Sequence, residues 1–130
     1  MNYKSQIKKS EEILFRLYKH FKSTIEHRNK SKVEEQKWLD ALSEFNEQYR
    51  QLSFLNGIED YRSELRSGNK EAIEYAVCFL EVRPFFHRSG YMWVDLLRVL
   101  KNCQLSTSQR KRYEAVKQRY KVFKEERKKL

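Results

Sequence analysis

The scarcity of glycine and proline is the feature that most constrains the fold of this chain. Only three glycines and one proline occur among its 130 residues. Hairpin turns depend strongly on these two residue types, so the chain offers few places where a β-sheet could reverse. Apolar residues instead recur at helical spacing along most of the sequence. The sequence therefore predicts an all-α fold, a single compact domain of five to six helices over residues 1–130.

Two serines mark the predicted starts of long helices. Ser31 stands three residues before Glu34, and Ser106 stands three residues before Gln109. This is the spacing of a capping box, in which the two side chains accept hydrogen bonds from each other's backbone N–H groups. Apolar residues at steps of three and four follow both serines. We therefore expect helices over about 32–52 and 107–128.

Proline and glycine mark the other predicted boundaries. Pro84 disfavours helical angles in the residue before it, so a helix should stop near Val82. Asn56-Gly57 and Gly68-Asn69 tolerate left-handed backbone angles and predict turns. The remaining predicted helices cover about 7–25, 58–65, 70–82 and 92–102.

Catalytic and metal-binding patterns are missing from the sequence. It contains no HExxH, no glycine-rich phosphate loop and no GxSxG motif. His20 and His27 are seven residues apart, close to two helical turns, and could share a face, but two imidazoles without a third ligand make a poor zinc site. Cys78 and Cys103 are expected to be buried free thiols, and burial raises a thiol pKa and makes it inert. We therefore expect no enzyme, no metal and no cofactor.

The connection around Pro84 concentrates polar groups in a segment without periodicity. Arg83, His87 and Arg88 precede a helix whose first N–H groups lack partners, and Ser89 is placed to cap it. Such a corner is suited to hold an anion. A structural role competes with this one, in which Phe85 and Phe86 close the end of the core and Tyr91 packs over the turn. The arginines would then pair with Glu81 and Asp95.

The same region carries a resemblance. Residues 76–105 include the runs FLE, RPFFHRSGYM and DLLR, separated by one and two residues respectively. This sequence pattern resembles that of small bacterial helical proteins, some of them encoded among toxin and immunity cassettes. The resemblance implies a non-catalytic binding protein and assigns no catalytic residue. The predicted helices on either side of Pro84 also resemble a helix pair of HEAT repeats.

Positive charge is concentrated at the end of the chain. Of a net charge of +10, residues 107–130 contribute +7, from ten lysines and arginines against three glutamates. At about 100° per residue, five of these cations fall within about 60° of one another, beside an apolar face that includes Tyr113 and Val116. They are Arg110, Lys117, Lys121, Lys124 and Lys128.

Three interpretations of this basic face remain open. It could bind an acidic protein partner such as a toxin or effector, follow a nucleic-acid backbone, or face only water. The resemblance places protein binding slightly ahead, with an immunity-like or inhibitor-like role, and nucleic-acid binding is the alternative. Membrane binding is not expected, because the apolar face holds mainly tyrosine and valine. We expect the protein to be cytoplasmic, because its first residues lead into charge rather than into an apolar stretch.

Overall fold

The computed structural model describes residues 2–129, and most of these lie in α-helices. No β-strand occurs in this part of the chain, which confirms the predicted all-α fold class. A short 3-10 helix, Leu55–Gly57, follows the second α-helix. The six α-helices are α1 (Tyr3–Ile25), α2 (Lys32–Leu52), α3 (Tyr61–Arg66), α4 (Lys70–Val82), α5 (Ser89–Leu100) and α6 (Thr107–Lys128).

The serine signals predicted the bounds of α2 and α6 correctly. At the start of α6, the Ser106 hydroxyl accepts from the Gln109 N–H at 3.1 Å, and the Ser106 N–H donates to Gln109 Oε1 at 3.0 Å. The capping box of α6 is therefore complete. At α2, Ser31 accepts from the Glu34 N–H at 3.2 Å, but the Glu34 carboxylate pairs with Lys37 at 3.2 Å. The predicted reciprocal bond is thus replaced by an ion pair one turn further along the helix.

Other helix ends differ from the prediction by a few residues. The first helix begins at Tyr3 because the Asn2 side chain accepts from the Ser5 N–H at 3.1 Å and caps it. The fifth ends at Leu100, two residues earlier than expected, and the Cys103 N–H then bonds back to the Leu100 carbonyl at 3.2 Å. Local hydrogen bonds that apolar periodicity does not encode decide both ends.

The predicted turns are confirmed by their backbone angles. Asn56 and Gly57 have φ values of 51° and 69°, and Gly68 has 86°. The fourth helix ends at Val82 as predicted, and Arg83 takes the left-handed conformation with φ 51° and ψ 63°. A left-handed residue followed by proline is a common way to stop a helix, because neither residue continues it.

The chain divides into two units. The first holds the residues up to Glu59 together with Pro84–Gly90. Ile7 and Leu14 of α1 are buried, as are Ala41 and Phe45 of α2. The helices α1 and α2 pack against each other along their lengths. The Phe85 N–H donates to the Glu11 carboxylate, which ties the 84–90 segment to α1.

The second unit holds Asp60–Arg83 and the residues from Tyr91 onward. Its centre is α4, which is buried without interruption from Tyr75 to Leu80. The main packing partner of α4 is α6, and Trp93 of α5 donates its indole N–H to the Leu80 carbonyl at 3.0 Å. Tyr113 of α6 in turn donates to the Leu97 carbonyl at 2.6 Å. The single-domain organisation and the HEAT-like pairing of the helices flanking Pro84 stay predictions.

One arginine joins α6 to α4 at the edge of this core. Arg112 donates to Glu81 Oε1 at 2.6 Å and to Glu74 Oε1 at 3.0 Å. Gln109 donates to the same Glu74 atom at 3.0 Å. Hydrogen bonds from Arg112 to Glu81 raise the pKa of the guanidinium, so the charge is permanent. Two adjacent turns of α6 are therefore fixed on the carboxylates of α4.

We predict that Arg112→Met lowers the free energy of unfolding by about 2 kcal/mol, because two carboxylates of α4 lose charged donors and keep part of their burial. Urea unfolding followed by circular dichroism measures this change. The neighbouring Lys111→Met removes an exposed charge and should stay within about 0.5 kcal/mol of the wild type. Equal stability of the two variants would contradict the role assigned to Arg112.

Candidate basic binding surface

Four lysines form an exposed row on α6, which we call the α6 stripe and define as Lys117, Lys121, Lys124 and Lys128. The stripe runs beside the buried side chains of Tyr113 and Val116, as the helical spacing predicted. Within residues 2–129, none of its four ammonium groups pairs with a carboxylate. All four positive charges therefore face solvent on one side of a helix that is held by its apolar face.

Arg110, the fifth predicted member of the basic row, has a different environment. Its guanidinium donates to the Cys103 carbonyl at 3.0 Å and to the Lys101 carbonyl at 3.4 Å. The side chain is half-buried and lies over the Tyr113 ring at 5.5 Å. Arg110 thus orders the α5–α6 connection, because positive charge is stabilised by the carbonyls that follow a helix end.

The connection predicted to hold an anion is divided between the two units. Arg83 belongs to the second unit, whereas His87 and Arg88 belong to the first. The Arg83 guanidinium lies over three aromatic rings, at 4.6 Å from Trp93, 5.3 Å from Phe123 and 5.8 Å from Tyr120. These groups line a cavity of about 200 Å³. The charge of Arg83 is consequently stabilised by ring faces.

His87 lies in an aromatic cluster of the first unit. Its ring stacks on Tyr18 at 4.9 Å and meets the edges of Phe45 at 5.8 Å and Tyr49 at 6.2 Å. Burial, and then the charge of Arg88, lower the pKa of the imidazole. His87 is therefore neutral at neutral pH, and the exposed Arg88, with φ 65°, supplies the positive charge of this segment.

The structural role considered for the Pro84 connection is correct only in part. Phe86 is buried, as expected of a side chain that closes a core, but Phe85 is 74% exposed and Tyr91 is 83% exposed. The Ser89 hydroxyl accepts from the Phe86 N–H at 2.9 Å, so it closes the preceding turn instead of capping α5. Phe85 and Tyr91 are left as exposed aromatic side chains on either side of this turn.

The predicted burial of the two thiols is confirmed, whereas the two histidines do not share the helical face that their spacing suggested. Cys78 and Cys103 are both buried and free. Burial and a hydrogen bond to Glu74 raise the pKa of Cys78 to about 11, and burial raises that of Cys103. His20 and His27 share no helical face, because α1 ends at Ile25. Among residues 2–129, no group of three His, Cys, Asp or Glu side chains is arranged to hold a metal ion.

Three arginines that the sequence analysis did not single out line a groove in the second unit. Arg62 and Arg66 come from α3, and Arg98 comes from α5. The i,i+4 spacing of Arg62 and Arg66 was a usable signal, because it places both on one helical face. Arg98 lies more than 30 positions further along the chain, and only the fold brings it to them.

A carboxylate of α5 holds the first of these arginines. Asp95 accepts from Arg62 Nε at 2.7 Å and also from the Tyr61 hydroxyl. Burial opposes ionisation of Asp95, but the hydrogen bonds from Arg62 and Tyr61 outweigh it and lower the pKa of this carboxyl. Burial and the bond to Asp95 raise the pKa of Tyr61 to about 12. Tyr61 therefore stays a proton donor and Asp95 stays an anion.

Comparison of the chain with protein-family models, with curated proteins and with solved structures finds no match. A search of the helices in residues 2–129 finds none with the length and apolar character needed to cross a bilayer.

We predict that the second unit loses stability below about pH 4 through Asp95. A carboxyl whose pKa is lower in the folded than in the unfolded state stabilises the fold while ionised, and this contribution is lost as pH falls through the folded pKa. The free energy of unfolding, measured by urea at pH 7 and pH 3, should therefore fall less for Asp95→Asn than for the wild type. Glu114→Gln, at an exposed position of α6, should behave as the wild type. Parallel profiles for wild type and Asp95→Asn would contradict the assignment.

Proposed function

We propose that this protein is a non-enzymatic binding module that recognises an acidic protein partner through the α6 stripe. The observation that carries the proposal is that four lysines face solvent together without a carboxylate partner among the described residues. The resemblance of residues 76–105 supports an immunity-like or inhibitor-like role in the cytoplasm, with a toxin or effector as the partner.

The stripe carries an electrostatic cost that a partner would remove. Like charges three or four residues apart on a helix destabilise it by about 0.2–0.5 kcal/mol per pair. Lys117, Lys121, Lys124 and Lys128 form three successive pairs of this kind. An acidic surface placed against them would offset this repulsion and would speed association by electrostatic steering. Burial of Tyr113 and Val116 fixes the part of α6 from which the stripe extends.

Aromatic groups extend the proposed contact surface beyond the lysines. Around α6, Tyr120 lies between Lys124 and Phe123, and its ring contacts the Lys124 ammonium at 4.8 Å and Arg83 at 5.8 Å. Phe123 is 42% exposed. Arginine and aromatic side chains are enriched at protein interfaces, where they act as anchors inside a polar rim. Arg83 and Phe123 are therefore the proposed anchors, and the stripe is the proposed rim.

Nucleic-acid binding is the second candidate, and the linear shape of the basic row favours it. From Lys117 to Lys128 the stripe extends over roughly 17 Å at about 1.5 Å per residue. A row of this length could follow several phosphates of an extended single strand, and such binding would weaken steeply with salt.

We predict that this protein forms a complex with the product of its neighbouring gene and rescues growth when that product is toxic. The triple variant Lys117→Glu, Lys121→Glu, Lys124→Glu should lose the complex, because reversed charges repel an acidic partner. Co-purification of the two defined proteins and a growth assay measure both effects.

A matched triple variant controls for net charge alone. Lys8→Glu, Lys9→Glu, Lys30→Glu changes the charge equally at exposed positions outside α6 and should keep both the complex and the rescue. Absence of a complex with the wild type, or equal loss in both triple variants, would overturn the proposal.

The nucleic-acid candidate predicts a mobility shift of a single-stranded oligonucleotide at low salt that disappears near physiological salt. The α6 triple variant should abolish the shift, while the Lys8/Lys9/Lys30 variant should retain it. A wild-type protein that gives no shift at low salt excludes this candidate and leaves protein binding unaffected.

A further inference from the structure

A groove of about 330 Å³ in the second unit gathers cationic side chains at the junction of α3, α5 and the α5–α6 connection. Ligand pockets commonly start at about 300 Å³, so this groove lies at the small end of the range. The polar and charged groups that line it are Arg62, Arg66, Asp95, Arg98, Asn102 and Cys103. No residue of the α6 stripe lines it.

The charges along the groove do not balance. Three guanidinium groups face one carboxylate, so the lining carries a net charge of +2. Asp95, the one acidic residue of the lining, accepts hydrogen bonds from Arg62 and Tyr61. The side chains of Arg66 and Arg98 are exposed, and within residues 2–129 neither forms an ion pair or a hydrogen bond, while the charge of Arg98 helps to lower the pKa of Asp95. Two guanidinium groups are thus available to a ligand.

Contacts of neighbouring residues order the walls of the groove. The Asp95 bonds fix Arg62 against α5, and the Arg110 bonds to the Lys101 and Cys103 carbonyls order the segment that closes the groove. The charges of Arg66 and Arg110 both act on the Cys103 thiol, so Arg66 lies close to this closed end. The groove is therefore a concavity with walls ordered by the contacts of Arg62 and Arg110, and the exposed side chains of Arg66 and Arg98 line it.

We infer that this groove binds the phosphate group of a small phosphomonoester. The planar guanidinium fork matches phosphate oxygens in pairs, so Arg66 and Arg98 would each donate two hydrogen bonds. The Asn102 amide would add a neutral donor. A phosphomonoester carries close to two negative charges at neutral pH, which equals the excess positive charge of the lining. This site lies apart from the α6 stripe and does not depend on the proposed protein partner.

Calorimetric titration of the full chain with inorganic phosphate and with glycerol phosphate, near physiological salt, tests the site. Both probes should bind with saturable one-to-one stoichiometry, and Arg66→Gln with Arg98→Gln should weaken binding at least about tenfold. A single-stranded oligonucleotide, whose diester phosphates carry one charge each, distinguishes a polymer backbone from a monoester. Oligonucleotide binding that is tighter than that of glycerol phosphate and is lost in the Arg66→Gln, Arg98→Gln variant would overturn the monoester assignment.

The control variant is Lys121→Gln with Lys124→Gln, which removes the same charge from the α6 stripe and should bind both probes as the wild type does. If the Arg66→Gln, Arg98→Gln variant unfolds at the same temperature as the wild type, its loss of binding is due to the missing guanidinium groups and not to unfolding. No saturable binding by the wild type at about 10 mM phosphate, or equal weakening in both double variants, would overturn the inference. Loss of the stripe variant's protein complex with its phosphate binding intact would separate this site from the proposed function.

Discussion

The second unit depends on the contact between α6 and the buried helix α4. Most of α4 is apolar and closed off from solvent, but Glu74 and Glu81 interrupt it on the side where α6 lies. Arg112 donates hydrogen bonds to both carboxylates. Burying Glu74 and Glu81 without a partner would oppose packing, but their bonds to Arg112 align the two helices. Apolar burial can drive two helices together in several registers, whereas charged hydrogen bonds to two fixed oxygens favour one. The direction in which every other residue of α6 points follows from this register.

The charged groups on the two sides of α6 have different environments. One flank is neutralised, with Arg112 and Gln109 bonded to α4. The other flank, the α6 stripe, keeps four lysines exposed to water. Fold stability explains the first flank and gains nothing from the second, because like charges on a helix repel. This contrast supports the proposal that the stripe binds another molecule. The arginine groove repeats this contrast on a smaller scale, with Arg62 paired and Arg66 and Arg98 available.

Much of the helical framework could be predicted from the sequence, because local rules determine it. Helical spacing and serine caps predicted α2 and α6 with their bounds, and Pro84 predicted the end of α4. The phase of α6 predicted which lysines would be exposed. The groove could not be predicted in the same way, since Arg98 meets Arg62 and Arg66 only after α3 and α5 are placed. Nor did the sequence indicate that Arg110 would bond to carbonyls or that Arg83 would lie over three rings, because both arrangements depend on tertiary contacts.

The Gln109 side chain bonds both within its own helix cap and to α4, and this limits which insertions α6 could accept. Its side-chain oxygen completes the capping box with Ser106, while its side-chain nitrogen reaches Glu74 on α4. The first turn of α6 is therefore hydrogen-bonded both to Ser106 and to Glu74 of α4. Inserting one residue between Gln109 and Lys117 would turn the stripe by about 100° relative to that anchor. The lysines would then no longer lie on their present side of α6. The spacing between cap and stripe is thus as strong a constraint on this helix as the identity of the lysines themselves.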